Sequence, residues 1–96
     1  MNNQVSVSTL MAMMNQMRLK NDWQSSDTPH ALAKSIVIEA NELLQEIYQE
    51  KPDLENLKGE VADVFMYLLA IVDLYQLDVE AIMKEKIAIV DKRNYV

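Results

Sequence analysis

Ser35–Glu46, SIVIEANELLQE, is the stretch on which the reading of this chain turns. Read as a helix, it carries Glu39, Glu42 and Glu46 along one side, with no cation anywhere between Lys34 and Lys51. Like charges three or four residues apart each destabilise an isolated helix by about 0.2–0.5 kcal/mol, so compensation has to come from elsewhere. A second helix repeats the device as Glu60 and Asp63, and Asp63 is the only formal charge in the run from Val61 to Val72, VADVFMYLLAIV. An ionised carboxylate among apolar neighbours is costly unless something pairs with it, and no basic residue lies within four positions of Asp63. Two acidic pairs on two helices therefore suggest a metal cage.

The 96 residues bound the answer to one domain, 1–96, near the size at which a single core is workable but not generous. Half the residues are hydrophobic and there are only one Gly and two Pro, so long helices with short links, an all-α fold, are expected. A net charge of −6 is the wrong sign for general attraction to nucleic acid. It does not exclude a nucleotide, because bound divalent cations reverse the local field. The absence of cysteine rules out disulfides and thiolate metal sites. The longest uncharged apolar run, Val64 to Val72, is far short of the ~20 residues of a membrane helix. With no secretory pattern at the amino terminus, a soluble cytoplasmic protein that does not contact a membrane is expected.

Outward from the acidic stretch, four helices are expected. The first runs from about Ser6 to Lys20, with Val7, Leu10, Met11, Met14, Met17 and Leu19 at helical spacing and its methionines as adaptable core filler. A polar loop, Asn21 to Thr28, holds the only Trp. Thr28 as cap and Pro29 at the first helical position start helix two, which runs to about Tyr48. After the break at Glu50–Asp53, helix three continues to about Tyr75, apolar on most of its circumference, with Gly59 inside it at a cost near 1 kcal/mol. Gln76 and Leu77 make a tight connection and Asp78 caps helix four, which reaches about Arg93. Helices two and three carry more apolar surface than one small core covers, so a homodimer or homotetramer is expected.

Mg²⁺ takes about six oxygen ligands, some from carboxylates and the rest from water and substrate phosphates. Glu39 and Glu42 facing Glu60 and Asp63 supply such a ring, with Mn²⁺ an alternative ion. Hydrolysis of a phosphoric anhydride follows from that chemistry. Tyr67, one turn beyond Asp63, is placed either to touch a ligand or to pack. Lys84, Lys86, Lys92 and Arg93 gather on the last helix, where the plain explanation is favourable interaction with its carboxyl end and the sharper one is phosphate capture, with Lys86, away from the final turn, the best candidate. His30 stands apart from any carboxylate at ligand spacing. The chain also lacks the Glu-x-x-His pairing of di-iron bundles.

On these residues the chain resembles the all-α nucleoside triphosphate pyrophosphohydrolases of the MazG type, and within them the dCTP pyrophosphatase-like members. The likeness rests on Arg18, Asn21, Asp22 and Trp23, on Thr28 and Pro29, on IEANELLQE, on GEVADVFMYLLAIVDLYQLD and on the closing Lys86 to Arg93. It implies a four-helix bundle-like fold, assembling as a homo-oligomer, that splits nucleoside triphosphates into monophosphate and pyrophosphate with Mg²⁺, in many relatives removing non-canonical nucleotides. It further implies Glu39, Glu42, Glu60 and Asp63 as metal ligands, Glu39 or Glu42 orienting the attacking water, Trp23 at the base pocket, Tyr67 near the substrate, and Lys86 and Arg93 near the phosphates. Where relatives commonly carry a Phe-His pair before Thr-Pro, this chain has Ser26 and Asp27, and Ala31 and Val90 stand where an Asn is usual. The competing reading is a non-enzymatic dimeric helical adaptor whose acidic surface binds a basic protein.

Overall fold

The computed structural model describes residues 4–23 and 26–92. Among them are four helices and no strand: α1 Val7–Lys20, α2 Pro29–Ile47, α3 Leu54–Leu74 and α4 Val79–Lys92. Each begins where local chemistry supplies an acceptor for orphan N–H groups. Ser6 accepts from the Thr9 amide, Thr28 from Ala31, Asp53 from Glu55 and Asn56, and Asp78 from Ala81.

With one glycine in the chain, the helix ends are closed by other means. Asp22 and Gln76 take left-handed backbone conformations, φ 55° and 52°, and each lets the next residue donate back into the helix just finished. The Trp23 amide bonds Arg18 O at 3.0 Å and the Leu77 amide bonds Val72 O at 2.9 Å. Such closures usually employ Gly, because a Cβ makes that conformation unfavourable. The first of them fixes where Trp23 leaves α1.

The α2–α3 hairpin is the main packing unit, and α1 lies against α3. Glu46 stabilises the hairpin turn by accepting the Asp53 amide at 2.9 Å, so the third acid of the stripe has a structural task of its own. Met14, Leu32 and Ala70 form the buried centre, one from each of α1, α2 and α3, with Met11, Tyr67, Leu69 and Ile71 packed around it. Arg18 is the one buried charge among the described residues.

The four expected helices are present, but they do not close into a bundle within one chain. Every described residue of α4 except Val79 is exposed, and α4 makes no extensive contact with another helix. The radius of gyration is 15.6 Å, where a compact chain of this length would have about 12–13 Å. The accessible surface is 7813 Å², against about 5,700 Å² for a compact monomer of 11.1 kDa. Val37, Phe65 and Ile87 are more than half exposed, so apolar surface is left uncovered on three helices.

A methyl group at Gly59 would meet nothing within 4 Å. Close backbone approach therefore does not explain this residue, and the helix simply tolerates it. Gly59→Ala should stabilise the protein by about 1 kcal/mol, read as a shifted denaturation midpoint with unchanged m-value.

Candidate active site

Glu39 and Glu42 are separated by three residues on α2 and so share one face of it, and the hairpin brings Glu60 of α3 to them. One carboxylate oxygen from each of the three lies within 4.8 Å of the other two. Asp63, one turn beyond Glu60, lies close enough for its charge to act on both Glu39 and Glu60. Three of the four expected ligands thus converge and the fourth adjoins them.

The setting of Asp63 differs from expectation. It is exposed, so water hydrates the carboxylate and no buried-charge penalty demands a partner. The reason is geometric. Neighbours in sequence point away from one another around a helix, and Asp63 falls on a side of α3 that its apolar neighbours do not cover.

The charges that act on the cluster from the described residues are acidic. The Glu39 carboxyl is held above its ordinary value of 4.5 by partial burial, then by the charges of Glu42, Asp63 and Glu60. Glu60 is raised in the same way by partial burial and by Glu42 and Asp63. Among the described residues no cation figures in the influences on either group. Oxygens in one octahedral shell around Mg²⁺, each about 2.1 Å from the ion, stand roughly 3–4 Å apart. The observed spread is close to that, and an all-carboxylate donor set suits a hard divalent ion. Glu39, Glu42 and Glu60 therefore fit a cation of the Mg²⁺ or Mn²⁺ kind.

Beside the acids lies a cavity of about 390 Å³, within the range of small-molecule sites. Asp63 forms part of its wall together with Trp23, Tyr67, Arg18 and Asp27, and Met14, Met17, Met66, Leu32 and Ala70 supply the apolar remainder. Tyr67 also packs against the buried centre, so both of its expected roles are open to one side chain. Arg18 donates from Nε to Asp27 Oδ2 at 3.0 Å, its Nη2 lies 3.0 Å from the same oxygen, and Nη1 donates to Asn15 Oδ1 at 3.2 Å.

Three glutamates thus converge on the hairpin, and Asp63 beside them lines a largely apolar cavity. The description "MazG nucleotide pyrophosphohydrolase domain" matches residues 27–94, well over half of the chain. The chain belongs to the MazG family. Its members are nucleoside triphosphate pyrophosphohydrolases, which makes hydrolase chemistry the coarse assignment. No curated protein matches the chain. The MazG match takes in the hairpin and α4 but not α1 or Trp23, a shorter reach than the nearly full-length resemblance read from the sequence.

Two expected phosphate-side residues, Lys86 and Arg93, remain. Lys86 is exposed on α4, neither lining the cavity nor acting on Glu39 or Glu60. Arg93 lies outside the described residues. His30 is exposed in the first turn of α2. The feature that sequence reasoning missed is the Arg18–Asp27 pair. Its one signal was the Asn15–Arg18 spacing on α1, with an acid just before the Thr28 cap.

A carboxyl whose pKa is higher folded than unfolded contributes stability present below the unfolded value and lost as pH rises through the folded one. Metal-free protein should therefore lose stability from Glu39 and Glu60 as pH climbs from about 4.5 toward neutrality. Thermal melts in EDTA should show Glu39→Gln flattening that loss and melting above wild type at pH 7. Added Mg²⁺ should stabilise wild type at pH 7 and have much less effect on the variant.

Proposed function

We propose that this protein hydrolyses nucleoside or deoxynucleoside triphosphates to monophosphate and pyrophosphate in a Mg²⁺-dependent reaction, with Mn²⁺ able to substitute. The observation that carries the reading is the convergence of Glu39, Glu42 and Glu60 within 4.8 Å, next to Asp63, which lines a cavity large enough for a base and sugar. Water adds to the α-phosphorus, the bridging bond to the β-phosphate breaks, and pyrophosphate leaves. A divalent ion bound by these acids would neutralise charge on the phosphate oxygens. The protein's own groups hold the ion, orient the water through Glu39 or Glu42, and receive the base between Trp23 and Tyr67.

Asp63 belongs with the ligands in this reading because its charge already acts on Glu39 and Glu60. Lys86 and Arg93 are assigned to the phosphates. The dCTP pyrophosphatase-like likeness and removal of non-canonical nucleotides in the cytoplasm complete the proposal for this single domain.

The assembly is a homodimer or homotetramer. A chain this small exposes on the order of 2,000 Å² more than a compact monomer does, about what one subunit of an obligate dimer buries. Association would cover the open face of α4. No described helix is long and apolar enough to cross a membrane. Light scattering at micromolar concentration should give twice or four times 11.1 kDa, and a monomer would contradict this part of the reading.

Pyrophosphate release from a panel of canonical and modified triphosphates, with and without Mg²⁺, tests the activity. Glu39→Gln and Glu60→Gln should each lower kcat/KM by at least about 100-fold, the scale on which charge stabilisation is lost when a group essential to it is removed. Turnover that persists in EDTA, or survives both substitutions, contradicts the proposal. Binding of a basic protein without any turnover would favour the adaptor.

A further inference from the structure

We propose that Arg18 and Asp27 are positioning residues, whose ion pair holds the Trp23 ring in the cavity wall and so sets how tightly the substrate is received there. This rests on the hydrolase reading for the identity of the substrate, and adds to it what keeps the wall in place. Lys58–Glu55 and Lys84–Glu80 each stay within one turn of a single helix and are largely exposed, so such pairs contribute little. Arg18–Asp27 differs on both counts. It joins α1 to the residue before the Thr28 cap, and its side chains keep only 8% and 22% of their surface accessible. Nε donates to Asp27 Oδ2 at 3.0 Å, Nη2 stands 3.0 Å from the same oxygen, and Nη1 donates to Asn15 Oδ1 at 3.2 Å. All three nitrogens of the planar guanidinium are therefore engaged, which fixes its orientation.

The connection to Trp23 passes through Arg18 at both ends. The Trp23 amide donates to the Arg18 carbonyl at 3.0 Å. The Trp23 carbonyl accepts from the Ser26 amide at 3.1 Å and from Ser26 Oγ at 3.0 Å, and the next residue is Asp27, which the Arg18 side chain holds. Arg18 thus closes a circuit around the Trp23 peptide, with its backbone on one side and its guanidinium on the other. A tether is needed at this position. The turn into Trp23 depends on the left-handed Asp22, and a non-glycine residue keeps that conformation only where surrounding contacts over-determine it. Trp23 is itself 48% exposed, so packing restrains the ring over only part of its surface. With Tyr67 it supplies the aromatic faces of the wall, and a ring already in place spares the ligand the cost of ordering it. Arg18 also lines the cavity, with an N–H on each of Nη1 and Nη2 beyond those directed at Asn15 and Asp27. A measurement made without ligand therefore separates holding Trp23 from touching the substrate.

Trp23 is the only tryptophan, so its fluorescence reports on the wall directly. In the full chain without ligand, Arg18→Met and Asp27→Ala should each lower the Trp23 anisotropy and increase its quenching by acrylamide. Asp27→Glu, which keeps the pair, should return both toward wild type. With the triphosphate that wild type turns over best, in Mg²⁺, KM should rise by about 10-fold in the two disruptive variants and kcat should move less. Each single variant leaves one charge without its partner, so the double variant Arg18→Met, Asp27→Ala should melt closer to wild type than either. Its anisotropy and KM should nonetheless stay with the single variants. A KM that returns to wild type along with the melting temperature would reduce the pair to a fold-stabilising role and overturn the inference. So would Trp23 anisotropy and quenching unmoved when the pair is broken, or a KM indifferent to a loosened ring. If a single variant does not fold, the double variant decides. Failure of wild type to release pyrophosphate from any triphosphate defeats the hydrolase reading instead, and the ligand-free fluorescence then decides whether the pair holds Trp23.

Discussion

Glu39, Glu42 and Glu60 are held together against their own repulsion, and the α2–α3 hairpin is what holds them. Each carboxylate would be more comfortable alone in water, and the upward displacement of the Glu39 and Glu60 carboxyls records that discomfort. The scaffold is correspondingly fixed at its turn. Asp53 caps α3 with its side chain while giving its own amide to Glu46, so the hairpin closes through the last acid of the same stripe. One row of glutamates thus contains both the strained group and part of the restraint on it.

Much of this was legible in the sequence because the signals are local. Thr28 before Pro29 marks the start of α2 by the same hydrogen bond that forms in the structure, and the Asp78 cap is equally direct. The Glu-x-x-Glu and Glu-x-x-Asp spacings place each pair on one helix, but only the hairpin determines that Glu42 meets Glu60. Asp63 was misjudged because neighbours in sequence were taken for neighbours in space. Arg18 and Asp27 were not legible as a pair because the left-handed turn at Asp22 that brings the chain back depends on no glycine. The openness of the bundle was beyond reach too, since helical periodicity shows which face is apolar and not what covers it.

The described fold has an interior of unusually few residues. Met14, Leu32 and Ala70 are the buried apolar residues, and Arg18 lies with them. A helix such as α3, apolar on most sides, has more to bury than α1 and α2 can take. The same imbalance extends to α4, whose Ile82, Met83 and Ile87 remain exposed. The hairpin thus brings the acidic residues together, while much apolar surface on α2, α3 and α4 stays open.

The family match begins at Asp27, whereas Met14, Met17, Arg18 and Trp23 of the cavity wall come from the segment before it. Four of the ten residues lining the cavity thus come from the stretch before the match, while Glu39, Glu42 and Glu60 all lie inside it. Substitution in that early stretch reshapes one side of the cavity wall and leaves the three converging glutamates untouched.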